Sequence, residues 1–265
     1  MMQAAAIVLD LDGTLLNSNK EVSPRNLRAV RQCRERNIPV IIATARPPRA
    51  IMQLLPAELL DLGIMIYYNG ALVVSERLEM HEHFPLDPLL LGELIAYLES
   101  CECMPQISVE ASDKWYSNKE LDYSALIKVH ERPALLSLEE LASLAASKLL
   151  VTNFSAVDEL VNQYGKRANI LHTDAGQLVQ IMSIQATKEQ ALMMVCSRLN
   201  ITAEQIIVFG DDYNDLGLFR ICGYPIAMGN AIRELQEIAY KVTDTNDNDG
   251  VALVLEQLLL EAEVS

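Results

Sequence analysis

The first apolar run of the chain ends in two closely spaced carboxylates. The segment Ala6–Leu9 is apolar and contains β-branched residues, and it is followed by Asp10 and then by Gly13. Such a run predicts a strand that is buried on both faces. Because residues two apart on an extended chain share a face, Asp10 and Asp12 are expected to point into one small volume.

Two carboxylates held this close repel each other. At ~4 Å and an effective dielectric constant of about 20, the repulsion is roughly 4 kcal/mol unless a proton or a cation lies between them. Mg²⁺ prefers oxygen ligands and is the natural cation for such a site. A second interpretation is that DLDGT is only a polar turn after a core strand, with Asp12 and Gly13 as its turn residues. The segment alone leaves both interpretations open.

The composition limits the class of protein and of partner. A chain of 265 residues is long enough for one large domain or two modest ones. With 51% hydrophobic and 22% charged residues, it is predicted to be globular. Its net charge of −15 argues against nucleic acid or an anionic membrane as a partner, because both would be repelled. An anionic substrate would therefore need a local cluster of cations.

Neither a targeting segment nor a membrane span is predicted. No basic segment precedes the first apolar run, and no apolar stretch approaches ~18 residues. The five cysteines are odd in number and scattered, which is typical of reduced thiols. We therefore expect a cytoplasmic protein with reduced cysteines. Cys101 and Cys103 are separated by one residue and lack the second pair that a zinc site needs, so they are predicted to be structural.

After the first strand the chain alternates between helix and strand. Ser23 is predicted to cap a helix that begins at Pro24, and an apolar strand follows at 39–43. A strand–helix–strand unit of this length implies a parallel strand pair with a right-handed crossover.

Polar residues follow this second strand. In a parallel sheet, ligands bind outside the carboxyl ends of the strands, so Thr44 and Asp10 should share one edge. Thr44 offers a hydroxyl group there, and Arg46 offers a contact for an anion. The alternative for Thr44 is to cap a helix predicted at 49–55.

The stretch 84–183 has a different pattern. Helical spacing and hairpin-like alternation are mixed in it, and one hairpin turn is predicted at 174–176. Hairpins mixed with helices indicate an α+β module inserted into the first domain. We therefore predict one domain made of residues 1–83 and 184–265, interrupted by a second domain at 84–183.

A second apolar strand ends in acids further along the chain. Residues 206–209 precede Asp211, Asp212 and Asp215, which repeats the arrangement after the first strand and again favours a cation. Lys188 stands at the predicted start of a helix, where its charge opposes the helix dipole by ~0.3–1 kcal/mol. This unfavourable position suggests that Lys188 has a use elsewhere.

Four motifs at strand or helix ends stand in one order: DLDGTLL at 10–16, Thr44 after a strand, Lys188 before a helix, and GDDYND at 210–215. Together they resemble the haloacid dehalogenase superfamily of phosphohydrolases. YNGA at 68–71 and MGNA at 228–231 are similar to the Cof-type group, whose large class IIB cap enters between Thr44 and Lys188. The resemblance covers nearly the whole chain. It implies the α/β class, with a Rossmann-like parallel-sheet core and an inserted α+β cap.

The resemblance implies a role for each acid. Asp10 is the nucleophile that attacks the phosphoryl group and forms an aspartyl phosphate. Asp12 is the general acid for the leaving alcohol and then the base for water, so it must first be protonated. We expect the neighbouring carboxylates to favour that proton. Mg²⁺ is held by Asp10, the backbone carbonyl of Asp12, and Asp211, with Asp215 orienting the site.

The resemblance also implies which groups contact the phosphate. Thr44 and Lys188 bind the phosphoryl oxygens, and Lys188 offsets their growing charge. Arg46 and Asn214 are expected to contribute further contacts to the bound substrate.

Two residues depart from the family pattern, which often has glycine at the positions of Ala45 and Glu189. A methyl group at Ala45 should be tolerated. A carboxylate at Glu189, beside Lys188, would weaken phosphate binding if it faced inward. At the second position of a helix, Glu189 is instead predicted to point to solvent and to interact favourably with the helix dipole.

The implied activity is that of a Mg²⁺-dependent phosphatase acting on a small phosphorylated metabolite, such as a sugar phosphate, a nucleotide or a vitamin phosphate. The implied cap is mobile, excludes water and selects the substrate. One alternative is a phosphotransferase or phosphomutase of the same superfamily, in which a second hydroxyl group replaces water. Another is a non-catalytic binder of a phosphorylated ligand, or a switch with Asp10 as its phosphoacceptor. An acid–base group at Asp12 argues against the switch, which needs slow dephosphorylation.

Overall fold

Helices and strands alternate through the computed structural model, which describes residues 4–61, 63–101, 105–120, 132–173 and 177–263. The chain divides into two units, Met1–Glu82 with Thr187–Ser265, and His83–Ala186. The predicted domain limits lie one residue after the first of these boundaries and three residues before the second. The hairpin turn predicted at 174–176 lies outside the described residues.

The described strands, in chain order, are β1 (Ala6–Leu9), β2 (Val40–Ala43), β3 (Met65–Tyr67), β4 (Leu72–Ser75), β5 (Met80–His83), β6 (Gln106–Ala111), β7 (Lys114–Ser117), β8 (Ala134–Leu135), β9 (Ala146–Thr152), β10 (Ala168–Thr173), β11 (Leu178–Ser183), β12 (Ile206–Gly210), β13 (Tyr224–Ala227) and β14 (Lys241–Val242). The described helices are α1 (Pro24–Glu35), α2 (Pro48–Leu54), α3 (Ala57–Leu60), α4 (Pro88–Glu99), α5 (Leu138–Ala142), α6 (Val157–Tyr164), α7 (Lys188–Leu199), α8 (Leu216–Ile221), α9 (Arg233–Ile238) and α10 (Gly250–Glu263). None of these helices is long and apolar enough to cross a membrane.

The first unit contains a sheet with the strand order β14-β13-β12-β1-β2-β3-β4-β5. The strands from β14 to β3 pair in parallel, and β4 pairs antiparallel with β3. The chain builds outward from β1 on one side through β2 and β3, and on the other side through β12 to β14. The strand order therefore reverses between β1 and β12, which is where open α/β sheets bind ligands. The predicted α/β class and the parallel pairing of β1 with β2 are confirmed.

Side-chain caps fix the starts of two helices that flank this sheet. Ser23 Oγ accepts a hydrogen bond from the Asn26 N–H at 3.0 Å and caps α1 as predicted. Thr187 Oγ1 accepts one from the Gln190 N–H at 3.2 Å and caps α7. The buried Asn26 Oδ1 accepts from the Ala252 N–H at 2.9 Å, which joins α1 to the start of α10. Each bond satisfies a backbone donor that a helix start leaves unpaired.

The second unit is built on its own sheet, with the strand order β10-β11-β9-β6-β7-β8. Its described pairs are antiparallel except β7 with β8. Side chains of α4 such as Leu91 and Leu94 pack with sheet residues such as Val109 and Val151 in one apolar cluster. Because side chains alternate along a strand, Lys148 and Gln180 belong to the other face of the sheet, where Lys148 Nζ lies 2.7 Å from Gln180 Oε1.

The described cysteines form no disulfide: Cys33, Cys101, Cys196 and Cys222 are free, and Cys103 lies outside the described residues. Burial raises the pKa of the Cys33 thiol to about 12 and that of the Cys196 thiol to about 11. These two thiols therefore stay protonated and serve as small apolar core residues.

Gly70 brings the turn after β3 against the start of α7. Its φ is +104°, a value that favours glycine, and a Cβ atom there would overlap the carbonyl group of Thr187. Gly63 also has a positive φ, +81°, but the nearest atom to its Cβ position is the Asp61 carbonyl oxygen at 3.9 Å. A comparison of Gly70 with Gly63 therefore distinguishes the cost of backbone strain from the cost of a steric overlap.

Gly70→Ala is expected to lower the free energy of unfolding by about 2–5 kcal/mol, because it adds an overlap to the strain of a positive φ. Gly63→Ala should cost only about 1–2 kcal/mol, since it adds strain alone. Urea denaturation followed by far-UV circular dichroism measures both. Equal losses in the two variants would contradict the packing argument.

Candidate active site

Three carboxylates meet at the carboxyl ends of β1 and β12. Parallel pairing sets Leu9 opposite Phe209, so the acids that follow the two strands share one edge of the sheet. Carboxylate oxygens of Asp10, Asp211 and Asp215 lie within 4.8 Å of one another. The side chains from the two acidic segments therefore form one cluster, as a shared cation site requires.

Lys188 lies buried between two of these acids. It is the first residue of α7, and its Nζ is 2.6 Å from Asp10 Oδ1 and 2.8 Å from Asp215 Oδ1. Burial acts to lower the pKa of Lys188, but the charges of Asp10 and Asp215 outweigh it and raise that pKa above its ordinary value. Lys188 is thus a permanent cation. The two acids account for its position at a helix start, which the dipole disfavours.

Burial is the largest influence on the pKa values of Asp10 and Asp211. It raises the pKa of Asp10 well above 3.8, and the charge of Lys188 opposes this while those of Asp215 and Asp211 add to it. Burial and the Asp215 charge raise the pKa of Asp211 to about 7, against a hydrogen bond from Thr14 Oγ1 to Asp211 Oδ1 of 3.0 Å. Carboxyl groups in this state hold a proton, or exchange it for a cation. An all-oxygen set of three acids fits Mg²⁺.

Asp12 has cations as neighbours rather than the carboxylates that we expected. Arg46 Nε lies 2.6 Å from Asp12 Oδ2, Arg46 Nη2 lies 2.7 Å from Oδ1, and Lys20 Nζ lies 2.8 Å from the same Oδ1. Burial acts to raise the pKa of Asp12, but the hydrogen bonds and charges of Arg46 and Lys20 lower it to about 2. The expectation that nearby carboxylates favour a proton on Asp12 is therefore wrong. The cluster acids follow β1 and β12, whereas the Asp12 side chain pairs with Arg46 in the loop after β2 and with Lys20.

Thr44 is buried at the end of β2, on the predicted edge of the sheet. Its Oγ1 accepts a hydrogen bond from the Arg46 N–H at 3.1 Å. The alternative role as a helix cap is wrong, because α2 starts later and has Pro47 at its N-cap with no side-chain hydrogen bond. Thr44 thus shapes the loop that carries Arg46, whose side chain is paired with Asp12.

Asn214 contacts Asn69, which was not among the site residues predicted from the sequence. Asn214 Nδ2 donates to Asn69 Oδ1 at 3.0 Å. Asn69 is buried with a left-handed φ of 55°, in the turn that carries the YNGA motif, which was the one signal for it. Asp212, which lies next to the cluster in sequence, is exposed and caps the turn Tyr213–Asp215.

Three further residues support the site. Thr14 is buried and holds Asp211 through the hydrogen bond described above. A Cβ atom at Gly13 would overlap the Asp211 carboxylate, so glycine is needed where the two acidic loops meet. Both lie in the DLDGT segment, which marked them, whereas Lys20 has no local signal in the sequence.

The two departures from the family pattern have different outcomes. Ala45 is not among the residues with a positive φ, so the backbone does not require glycine there. Glu189 is half-buried, and its carboxylate occupies the space that a Cβ atom of Gly217 would need. The prediction that Glu189 points to solvent is wrong, because α8 packs against that side of α7.

Comparison with known proteins gives consistent matches along the chain. A model of the haloacid dehalogenase-like hydrolase family matches residues 7–255. The chain is 30% identical over 286 residues to the phosphatase YwpJ of Bacillus subtilis, covering 96% of this chain and 99% of that one. It is 28% identical over 262 residues to a phosphoglycolate phosphatase of Archaeoglobus fulgidus, and the match covers 97% of this chain and 98% of the relative. The crystal structure of a Thermotoga maritima protein superposes with a TM-score of 0.83 at 27% identity, and the match covers 96% of this chain and 97% of that protein.

Without divalent cations, the free energy of unfolding is expected to fall as the pH rises from about 4 to about 7. The raised pKa values of Asp211, about 7, and of Asp10 mean that the folded chain binds more protons than the unfolded chain in this range. Asp12, with a pKa of about 2, acts in the opposite direction, but only below pH ~4. Mg²⁺ should restore the loss above pH ~7, because it replaces the protons.

Melting temperatures measured between pH ~5 and ~8, with EDTA and with Mg²⁺, check this expectation. Asp211→Asn is the matched variant, since it removes the titrating group and should weaken both the pH dependence and the effect of Mg²⁺. A melting temperature in EDTA that rises with pH across this range would contradict the assignment.

Proposed function

Because this chain belongs to the haloacid dehalogenase-like hydrolase family, we propose that it is a phosphatase of small phosphorylated metabolites with Asp10 as its nucleophile. The observation that carries the proposal is the position of Asp10 at the ligand-binding edge of the sheet. There its Oδ1 lies 2.6 Å from the buried cation Lys188, within the cluster that includes Asp211. A carboxylate and a fixed cation at the same point suit attack on a phosphoryl group.

In the first step, an Asp10 oxygen forms a bond to phosphorus while the bond from phosphorus to the leaving oxygen breaks. Asp12 gives its proton to that oxygen, so that a neutral alcohol departs and an aspartyl phosphate remains. In the second step, the oxygen of a water molecule attacks phosphorus and Asp12 takes the proton from the water. The bond between phosphorus and Asp10 breaks, inorganic phosphate is released, and the Asp10 carboxylate is regenerated.

The ion pairs of Asp12 bear on these two roles. Its three contacts with Arg46 and Lys20 favour the carboxylate form, which is the form that the second step needs. For the first step the carboxyl group must take up a proton and give up a contact with one of the cations. A proton on Oδ2 releases only the Arg46 Nε contact, and the contacts of Arg46 Nη2 and Lys20 with Oδ1 are kept.

The charged phosphoryl group needs positive partners in a chain of net charge −15. We assign contacts with its oxygens to Lys188 and to the Thr44 hydroxyl, with Arg46 and Asn214 further out. Mg²⁺, held by Asp10, Asp211 and Asp215 together with the backbone carbonyl of Asp12, would lower the repulsion between the phosphoryl group and the acids when bound. The raised pKa values of Asp10 and Asp211 support a cation there.

We assign substrate selection to the unit His83–Ala186, which corresponds to the predicted cap domain. One face of its sheet carries buried polar side chains, including Glu110, Lys148 and Gln180. A sheet face with polar side chains favours substrates with a polar leaving group, such as sugar phosphates, nucleotides and vitamin phosphates. A cytoplasmic location stays a prediction from composition.

Phosphate release from a panel of phosphorylated metabolites tests the proposed function. The panel holds sugar phosphates, nucleotides, vitamin phosphates and, because of the Archaeoglobus relative, 2-phosphoglycolate. We expect activity with Mg²⁺ and little with EDTA, and a loss of about 10³-fold or more in Asp10→Asn, which removes the nucleophile. Asp61→Asn, an exposed position at the end of α3, is the control and should keep full activity.

Two outcomes would overturn the proposal. Activity retained in Asp10→Asn would exclude an aspartyl phosphate at this residue. Phosphate that appears only on another hydroxyl group, with none released into water, would favour a phosphotransferase or phosphomutase. Hydrolysis in oxygen-18 water places the label in the released phosphate and separates the two reactions.

A further inference from the structure

Lys20 stands at a tightly held turn after the DLDGT segment. The Asn17 N–H donates to the Glu21 carbonyl at 2.9 Å, and Asn17 Oδ1 accepts from the N–H groups of Asn19 and Glu21 at 3.0 and 2.9 Å. Lys20 itself has a left-handed φ of 64°, which is uncommon for a residue with a long side chain. The turn thus fixes the backbone from which the lysine side chain starts.

Asn246 and Asp247, from the far end of the chain, hold this turn in place; we call these two residues the strap. The N–H and Oγ of Ser18 donate to the two carboxylate oxygens of Asp247, at 2.7 and 2.6 Å. The neighbouring Asn246 is buried, and its Nδ2 donates to the Leu16 carbonyl at 2.8 Å. The turn therefore has a defined position relative to the β1 end of the sheet, where Asp12 lies.

The contact between Lys20 and Asp12 is not explained by stability. The side chains are 49% and 35% exposed, and ion pairs of this kind contribute little to folding. Arg46 already donates to both oxygens of Asp12, so the carboxylate does not lack a partner. What Lys20 adds is a third charged hydrogen bond from a second segment of the chain, which further restricts rotation of the carboxylate.

We propose that Lys20 is a positioning residue that, together with Arg46, holds the Asp12 carboxyl group in the orientation needed for proton transfer to the leaving oxygen. The proposal rests on the acid–base role of Asp12 under the proposed function. Proton transfer depends on the position of the acid to within a fraction of an ångström. Lys20 lies outside the acidic cluster, on a turn that Asn246 and Asp247 hold in place, and its hydrogen bond therefore fixes the position of the Asp12 carboxyl group.

The dependence of kcat/KM on the leaving group tests this role. 4-Nitrophenyl phosphate releases a phenolate that needs no proton, whereas an alkyl phosphate needs one. Since kcat/KM reports the steps up to loss of the leaving group, it isolates the first half-reaction. The two probes are 4-nitrophenyl phosphate and the alkyl monoester of the panel that the wild-type enzyme hydrolyses fastest.

We expect Lys20→Met to lower kcat/KM for the alkyl monoester about tenfold, a part of the 10²–10⁴-fold that a complete acid–base group contributes. The value for 4-nitrophenyl phosphate should change less than about twofold. Lys20→Arg, which keeps a charged donor, should recover most of the loss. Lys241→Met removes another exposed lysine of the same unit, 2.9 Å from Gln257 Oε1, and should leave both values unchanged.

An equal loss with both substrates would overturn the proposal, because it would mean that Lys20 binds the phosphoryl group or supports the fold. No change with either substrate would overturn it too. Asp12→Asn in the same assay separates failure of this inference from failure of the proposed function. If Asp12→Asn shows no preference between leaving groups, the acid–base role of Asp12 itself is wrong.

Asp247→Ala offers a second route that leaves Lys20 intact. Removing the strap should produce the same preference for the aryl substrate with a smaller loss for the alkyl one. A normal circular dichroism spectrum and melting temperature for each variant show that the fold is kept. If loosening the strap lowers kcat/KM equally for both substrates, the turn has no specific link to proton transfer.

Discussion

Mutual repulsion among the carboxylates at the ends of β1 and β12 is the constraint that the surrounding structure has to satisfy. The parallel register of the two strands puts Asp10 and Asp211 at one edge, and the turn after β12 adds Asp215. Lys188 is buried with them and bonds to two of the three, which removes part of the unfavourable charge. A single lysine does not balance three acids, and burial together with the remaining negative charge raises the pKa values of Asp10 and Asp211. That remainder is what a divalent cation would neutralise.

Asp10 and Asp12 are two residues apart and have opposite electrostatic environments. The Asp10 carboxyl is buried among acids, whereas the Asp12 carboxyl meets Arg46 and Lys20 and has its pKa lowered to about 2. The backbone leaves the strand at Asp10, so the alternation that would place both side chains in one volume ends there. Pairs of acids whose environments separate their pKa values can take different roles in one reaction. Under the proposed function, Asp10 and Asp12 would divide the work between a nucleophile and an acid–base group, and the low pKa of Asp12 makes its base form the resting state.

Much of the site was predictable from the sequence because it follows from strand order. A buried strand that ends in acids occurs twice, and parallel pairing brings the carboxyl ends of such strands together, so Asp10 and Asp211 could be placed side by side. The Ser23 cap was equally local and was confirmed. The partners of Asp12 could not be predicted, since they depend on a left-handed turn at Lys20 and on the reach of a side chain from the loop after β2. Glu189 failed for a similar reason, because its surroundings are set by Gly217 on another helix.

The MGNA motif near the end of the chain shows how distant segments hold the loop that follows β1. Asn230 Nδ2 donates to the Gly13 carbonyl at 2.8 Å, and Asn230 Oδ1 accepts from the Asn246 N–H at 3.0 Å. The Asn246 side chain in turn reaches the Leu16 carbonyl, so two linked amides fix both ends of the segment that follows Asp12. Neither asparagine carries a charge or a nucleophile, and a search for reactive groups would pass over both. Their value lies in geometry: groups that must meet within a fraction of an ångström need a backbone that cannot drift, and here the last part of the chain supplies that restraint.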